Sequence, residues 1–527
     1  MKRKWLIAVM GVLILLLAAC AGRNRGEASP QYSTETYNLA ESNTLRGEPE
    51  SGSVFDSEYR PNQIKSVIIL DSLTDAPNDA WDVSEAENGA VKAWVEPNGE
   101  LYDLYIGAEG GVWAAVSCRG MFLGYENVES ITFGNAFHTE QAQDMCAMFY
   151  GCSSLINLDL GGFDTSNVQD MSRMFFDCTS LGALDLGCFN TSNVQDMDSM
   201  FSGCSSLRTL DLSSFDISKV QYTSNMFRCC DSLTTLDLSS FGSTDVIKMF
   251  HMFSGCSSLT TLDLSNFHAS GAQDMNSMFS GCSSLSILDL SSFDTASVQD
   301  VGSMFRDCTG LTSLDLSSFD TANVRDMSMM FSGCHSLREL NLSSFDTSNV
   351  QDMCKMFQNC RSLTALDLSS FDTSKVENMG DMFNCCLELK TLDLSGFHTS
   401  NVVAMFAMFR NCDSLTELNV SNFDTSNVQD MRDMFLNCGN LEYLDLHSFD
   451  TTNVQDMSNM FSYCESLNNL DLSGFDTAKV MYMNNMFSGC TSLENLSLSD
   501  RFIISNAQTG SMFHDCPAGA DWKKILK

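Results

Sequence analysis

Residues 148–173 read MFYGCSSLINLDLGGFDTSNVQDMSR, and this stretch of 26 residues returns with small changes along most of the chain. Each copy begins with a Met-Phe pair and carries a cysteine four residues after the methionine. We number the repeat from that methionine, so Met148 is position 1 and Arg173 is position 26. The pairs begin at 148, 174, 200, 226, 252, 278, 304, 330, 356, 382, 408, 434, 460, 486 and 512. A fixed period of this length predicts an array in which each unit buries its apolar face only against its neighbours.

Each unit combines a strand period with a helix period. Positions 8, 11 and 13, as in Leu155, Leu158 and Leu160, predict a short strand with 11 and 13 facing inward and 12 facing outward. Positions 21, 24, 1, 2 and 5 recur at three- and four-residue steps, which predicts a helix of about three turns. Position 4 is Gly, Asn or Asp in twelve of fifteen repeats, as expected where a helix ends in the left-handed conformation. The predicted fold class is therefore an α/β repeat solenoid, a right-handed leucine-rich-repeat-type array of 26-residue strand-helix units.

The repeat also resembles a known family. Its pattern, S-L-x-x-L-D-L-S-x-F-D-T-S-N-V-x-x-M-x-x-M-F-x-x-C, is similar to the repeat of the BspA-like leucine-rich-repeat surface proteins of bacteria. The segment before the array, with Trp81, Trp94 and Tyr102 among its residues, resembles the short β-rich region that opens the array in those proteins. The resemblance covers about residues 64–527. It implies an exported surface protein associated with adhesion to host or bacterial partners, and it brings no enzymatic activity or catalytic residue.

The N-terminus predicts the compartment. Lys2, Arg3 and Lys4 precede fifteen uncharged, mostly apolar residues, the pattern of an export signal. Residues 17–20, Leu-Ala-Ala-Cys, resemble the bacterial lipobox, which implies a lipidated Cys20 that holds the protein to a bilayer outside the cytoplasm. An uncleaved anchor with an incidental cysteine is the alternative. The predicted segments are a signal peptide (1–19), the lipidated cysteine with a disordered tether (20–62), a β-rich N-terminal cap (63–120), the solenoid (121–516) and a C-terminal cap (517–527).

Composition and motifs argue against several functions. The chain has 29 basic and 67 acidic residues, a net charge of -38, which excludes an ordinary nucleic-acid binder because phosphates would be repelled. Seven histidines are scattered over separate repeats, and no nucleophile elbow, Walker loop, dinucleotide fingerprint or zincin helix is present. We therefore expect no enzyme, no cofactor and no dedicated metal site. The periodic cysteines predict a ladder of buried thiols, with some disulfides as the alternative.

Aspartate offers the candidate site. Position 12 is Asp in eleven of fourteen strands, and this side chain faces away from the core. The ladder is either an ordinary solvated surface, satisfied by nearby hydroxyls and backbone donors, or a face that attracts a basic partner or weakly held Ca²⁺. Aspartate at position 17 more simply predicts a turn or cap bond. The ladder comprises Asp159, Asp185, Asp211, Asp237, Asp263, Asp289, Asp315, Asp367, Asp393, Asp445 and Asp471.

Two functions are compatible with these features. The first is a lipid-anchored surface protein, adhesin-like, whose solenoid binds a protein, the extracellular matrix, or a host or bacterial surface. The second is a non-specific acidic spacer or a structural protein that binds divalent cations weakly. Position 10 favours the first, because Ile287, Glu339, Glu417 and Tyr443 depart there from small polar residues.

Overall fold

The structure, a computed structural model, describes residues 43–46, 54–242 and 246–520. These ranges contain sixteen short strands and three 3₁₀ helices, Val54–Asp56, Pro61–Gln63 and Pro517–Ala520, and within them there is no α-helix. Accordingly, the part of the chain that is described contains no helix long and apolar enough to cross a membrane. The predicted signal peptide, Cys20 and residues 521–527 of the predicted C-terminal cap lie outside the described residues.

The N-terminal cap is a sheet that runs directly into the solenoid. The cap contains β1 (Ile64–Leu70), β2 (Trp81–Asp82), β3 (Lys92–Asn98), β4 (Leu101–Gly107) and β5 (Val112–Trp113), and the first coils of the solenoid contribute β6 (Ser130–Thr132), β7 (Phe137–His138) and β8 (Asn157–Leu158). Six of them form one sheet in the order β2-β3-β4-β1-β6-β8, and β5 pairs with β7. Strand β1 is parallel to β6, which is parallel to β8. The cap therefore supplies the first rung of the repeat sheet.

The cap begins earlier than the predicted boundary between residues 62 and 63. The amide of Leu45 donates to the Trp113 carbonyl at 2.8 Å. Leu45, Val54 and Phe55 are all fully buried in the core. These residues are isolated apolar positions in a polar stretch, so no periodicity reveals them, and the core that covers them comes from later in the chain. The tether assigned to residues 20–62 is thus too long at its C-terminal end.

Within the solenoid, the predicted short strands form at the leucine positions of nine of the fourteen described repeats; the equivalent residues 183–185, 209–211, 287–289, 365–367 and 443–445 belong to no strand. Leu236 and Leu314 are buried, and the residues on either side of each are exposed, as the alternation required. Parallel pairs join β9 to β10, β11 to β12, β13 to β14 and β15 to β16. The strands are β9 (Thr235–Asp237), β10 (Thr261–Asp263), β11 (Ser313–Asp315), β12 (Glu339–Asn341), β13 (Thr391–Asp393), β14 (Glu417–Asn419), β15 (Asn469–Leu472) and β16 (Asn495–Leu498).

The predicted helix of each repeat is wrong, because consecutive tight turns occupy its place. The Met148 amide donates to the Met145 carbonyl, and the Cys152 amide donates to the Phe149 carbonyl, each at 3.2 Å. The third residue of each turn is left-handed: Ala147 has φ 56° and Gly151 has φ 73°. This is the backbone signature of a type II turn. The Phe149 amide instead donates to the next coil, at the Met174 carbonyl, 2.9 Å away.

The turn chain explains why the spacing misled. A turn closed between residues i and i+3 places both ends on the same side, so positions 24 and 1, and then 2 and 5, face inward just as they would on a helix. The amides between them bond to the neighbouring coil, which a helix would not allow because it uses those groups internally. The left-handed residue at position 4 agrees with the Gly, Asn and Asp found there. The second left-handed position of each repeat is position 26, which is occupied by residues as different as Ala147, Lys355 and Met329.

Two columns of side chains hold the coils in register. The position-2 phenylalanines stack in an unbroken row from Phe122 to Phe513, with ring centroids 5.1–5.8 Å apart and planes within 18°. At position 18, the buried Thr165 hydroxyl donates to the Asn190 carbonyl at 3.0 Å and accepts the Asn190 amide at 2.8 Å. That hydroxyl therefore satisfies a backbone donor and a backbone acceptor of the next coil.

Candidate functional site: two aspartate ladders

The eleven position-12 aspartates, called here the outer ladder, each lie between two residues that face the core, and their own side chains face away from it. Five of them, Asp237, Asp263, Asp315, Asp393 and Asp471, lie in the short strands. Ten are exposed, and Asp445 is partly covered by His447, whose Nδ1 lies 2.7 Å from its Oδ1. In each of the eleven, Oδ1 accepts the backbone amide two residues on, at 2.9–3.1 Å. The Ser291 and Ser317 amides thereby hold the pKa of Asp289 and Asp315 below its usual range. The turn thus stabilises the charged carboxylate.

The surroundings of the outer ladder are shallow and open. A depression of about 340 Å³ lies over the rungs of Asp237, Asp263 and Asp289. Neutral residues interrupt the row: Asn419 donates from Nδ2 to Asp393 Oδ1 at 3.1 Å. The sheet face therefore has carboxylates in rows but no enclosed cavity on these rungs.

Large side chains stand out on this face at position 10, two residues before the aspartate. Ile287 is 77% exposed and Tyr443 is 69% exposed. Glu339 and Glu417 are exposed at the same position, before Asn341 and Asn419. Because residues two apart in a strand share a face, Glu339 and Glu417 lie on the same face as Asn341 and Asn419 in β12 and β14. Ile287 and Tyr443 stand at the equivalent position of coils without an assigned strand, and each is separated from Asp289 or Asp445 by one buried leucine.

A second row of carboxylates was missed. Position 23 joins neighbouring coils through single parallel bridges that run from Ser117 to Gln508. Nine of these residues are aspartates, all half-buried, and we call them the inner ladder: Asp144, Asp170, Asp196, Asp274, Asp300, Asp326, Asp352, Asp430 and Asp456. The repeated Q-D-M at positions 22–24 was the available signal, but the helix prediction gave position 23 no partner on the neighbouring coil.

Burial gives the inner ladder the opposite electrostatic character to the outer one. It raises the pKa of Asp196 to about 7, against the lowering effect of the Asp198 amide that donates to it at 2.8 Å. Burial also raises the pKa of Asp300, to which the charges of Asp326 and Asp274 add. The same residue type is therefore stabilised as a carboxylate on one face and disfavoured as a carboxylate on another.

One arginine pairs with the first two rungs of the inner ladder and offsets part of their charge. Arg119 places Nε 3.0 Å from Asp144 Oδ2 and Nη2 3.0 Å from Asp170 Oδ2. Its Nη1 donates to Cys146 Sγ at 2.8 Å. Asp144, Cys146 and Asp170 have ligand atoms within 4.8 Å of one another, a spacing that suits a metal ion. The guanidinium already occupies the space between them, so this cluster is an ion-pair network.

The aspartates of position 17 make the turn bond that was predicted for them. Asp164 Oδ1 accepts the Ser166 amide at 2.9 Å, and Asp346 Oδ1 accepts the Ser348 amide at 2.9 Å. They are part of the scaffold rather than of the candidate site.

The position-5 cysteines have a hydrogen-bonding role that the sequence did not reveal. From Cys152 to Cys490, each thiol donates to the position-2 Phe carbonyl of the preceding coil, at 2.9–3.2 Å. Burial raises the pKa of Cys204 and Cys282 to about 12, so these groups are protonated at neutral pH and can donate. Within the described ranges all 21 cysteines are free, and Cys188 and Cys229 are exposed.

The fold and these ladders define a class: a coil-stacking repeat protein with acidic faces. The chain belongs to the family described as "Mycoplasma protein of unknown function, DUF285", whose model matches residues 116–241, 224–339, 337–419 and 409–522. Among solved structures, one titled "Crystal structure of TLR13-ssRNA13 complex" is 16% identical and covers 75% of this chain and 70% of its own, with a TM-score of 0.20. That score carries no argument about fold. No curated protein matches the sequence.

Proposed function

We propose that this chain is a lipid-anchored bacterial surface protein whose solenoid binds another macromolecule through the sheet face that carries the outer ladder. The observation that carries the proposal is the exposure of Ile287 and Tyr443, 77% and 69%, at position 10, where most other coils have small residues and two have Glu339 and Glu417. Exposed large side chains grouped on one extended surface are characteristic of interaction sites. The partner is a protein, an extracellular-matrix component, or a host or bacterial surface ligand.

Several further observations support this role. Membership of the repeat family accounts for most of the chain, and the resemblance to BspA-like proteins brings the association with adhesion. The net charge of -38 disfavours nucleic acid as the partner. The lipobox-like residues before Cys20 support attachment to a bilayer on the extracytoplasmic side. No catalytic role is proposed, because the motifs point to none.

Binding of the full-length chain, in detergent, to immobilised host matrix and to bacterial cells tests the proposal. The variant Ile287→Ser with Tyr443→Ser should bind at least tenfold more weakly. A matched control exists on another row, position 22, where Val403 and Met481 are 45% and 47% exposed. The double variant Val403→Ser with Met481→Ser should bind normally. Equal loss in both variants, or binding that neither changes, would exclude the sheet face as the binding surface.

The outer ladder favours a second candidate, a structural protein that binds divalent cations weakly. Carboxylates about 4.8 Å apart repel by roughly 0.9 kcal/mol in water and about 3.5 kcal/mol at an effective dielectric of 20. A bridging Ca²⁺ would relieve this repulsion, with an affinity of roughly millimolar because a rung offers few oxygens. The melting temperature should therefore be higher in CaCl₂ than in NaCl at equal ionic strength. A triple variant that combines Asp263→Asn, Asp289→Asn and Asp315→Asn should reduce this difference in melting temperature. Equal melting temperatures in the two salts would show that the outer ladder is an ordinary solvated surface that binds no Ca²⁺.

A further inference from the structure

The inner ladder contains one run of aspartates that lacks basic partners. Asp274, Asp300, Asp326 and Asp352 lie on four successive coils and are joined by parallel bridges. All four are half-buried, and in the described part of the chain none makes an ion pair within 4.0 Å. The other runs differ: Arg119 serves the first, and Arg432 lies 3.0 Å from Asp430 in the last.

The groups around this run offer little compensation. Asp300 is flanked by Asp274 on the coil before and Asp326 on the coil after, and it receives only amide donors, from Gly302 at 2.8 Å and Asn276 Nδ2 at 3.2 Å. Around Asp352 lie the acidic Glu377, the Cys354 thiol and its amide donor, and Asn378 Nδ2 at 3.4 Å.

The positive charges near the run lie beside it rather than between its carboxylates. Lys248 is the bridge neighbour of Asp274, and the His251 ring faces the same carboxylate. Arg325 directly precedes Asp326 in the chain, and Lys355 lies 4.0 Å from Asp381.

We propose that Asp300 and Asp352, the second and fourth members of this run, take up protons at mildly acidic pH, so that the solenoid is more stable in mild acid than at neutral pH. Close stacking makes four neighbouring charges costly, and one proton held in the row removes the repulsion with both neighbours. Each protonated carboxyl keeps its acceptor oxygen for the amide two residues on. The fold therefore needs no rearrangement to accept the proton.

The direction of the pH effect follows from the pKa shifts. Burial raises the pKa of Asp300 and Asp352 above the unfolded value, so the folded chain binds more protons than the unfolded chain. Stability then rises as the pH falls through the folded pKa, and the gain is complete below the unfolded pKa of about 3.9. Asp289 and Asp315 of the outer ladder act oppositely: the amides of Ser291 and Ser317 lower their pKa, so their contribution is lost only at lower pH. The stability maximum should fall in mild acid between the two effects.

Paired variants test this in the full-length chain. Asp300→Asn with Asp352→Asn alters the inner run, and Asp289→Asn with Asp315→Asn makes the same change of net charge on the outer ladder. Asparagine fits both rows, because Asn378 Oδ1 accepts the Gly380 amide and Asn341 Oδ1 accepts the Ser343 amide, each at 3.1 Å. Both variants keep all the histidines, so the contribution of histidine titration to the pH dependence of stability is the same in each and cancels when the two are compared.

The measurement is the urea midpoint at pH 7.5 and at pH 5.0. The unaltered chain should have the higher midpoint at pH 5.0. The inner variant should gain stability at pH 7.5 and show a smaller pH difference than the unaltered chain, the remainder coming from other buried aspartates such as Asp196, whereas the outer variant should keep the full difference. A lower midpoint at pH 5.0 in the unaltered chain, or equal changes in the two variants, would overturn the proposal.

Discussion

Ser303 gives a direct test of the turn chain that replaces the predicted helix. It occupies position 26 with φ 56°, and its backbone amide donates to the Ser328 carbonyl at 2.7 Å. A residue with a Cβ loses roughly 1–2 kcal/mol in this left-handed conformation, whereas glycine does not. Glycine costs about 0.5–1 kcal/mol through the greater freedom of the unfolded chain. Ser303→Gly should therefore stabilise the chain by about 0.5 kcal/mol, although the same change inside a helix would destabilise it.

Ser280 is the matched control. It lies at position 3 of a neighbouring coil, where φ is not positive, and its amide donates within its own turn to the Ser277 carbonyl at 3.1 Å. Ser280→Gly should cost about 0.5–1 kcal/mol, since only the unfolded-state effect applies. The difference between the two variants isolates the left-handed conformation and should be about 1–2 kcal/mol.

The assay is equilibrium unfolding in urea, with the free energy of unfolding taken from the midpoint and slope. Repeat arrays can unfold without full cooperativity, and the free energies can be compared only if the three proteins unfold alike. The dependence of the unfolding free energy on urea should therefore be the same for both variants and the unaltered chain. If Ser303→Gly and Ser280→Gly destabilise the chain equally, position 26 does not have a left-handed conformation, and the argument for turns in place of a helix fails with it.

Two predictions concern cysteine. On the mature protein, well over half of the 21 non-lipidated cysteines should react with a thiol reagent in denaturant and be protected before unfolding; a count below half would favour disulfides. Cys20→Ser should leave the protein unprocessed or released from the membrane fraction, and unchanged processing and partitioning would refute the lipid anchor.

The sequence predicted the repeat and its strands because both depend on side-chain burial, which the alternation at positions 11–13 encodes directly. Leu236 buried between exposed Thr235 and Asp237 is the expected outcome. The turns were missed because a four-residue turn closed between residues i and i+3 and a helix place apolar residues at the same spacing. Position 26 gave no warning, since its left-handed conformation is imposed by inter-coil hydrogen bonds rather than by its side chain.

The candidate site divides in the same way. The exposed side of the outer ladder followed from the strand alternation, so its placement could be predicted. The inner ladder depends on which coil lies beside which and on how far each carboxylate is covered, and neither follows from one repeat alone. Arg119 illustrates the limit: it joins Asp144 and Asp170, 25 and 51 residues away, through contacts that only the stacked coils create.

The direct pairing of β1 with β6 gives the chain a direction of assembly. Contacts between coils join residues about 25–30 positions apart, as in Phe149 to Met174 and Cys178 to Phe149. A coil can therefore be completed once the next 26 residues are present, without waiting for the C-terminus. The cap comes first in the sequence and offers a finished edge, so a chain that emerges from its N-terminus can wind one coil at a time onto a template that already exists. Whole coils can then be added or removed in units of 26 without a new kind of contact. The first coil, in which Phe122 and Phe149 stack across 27 residues, shows that one extra residue can be accommodated without breaking the phenylalanine row.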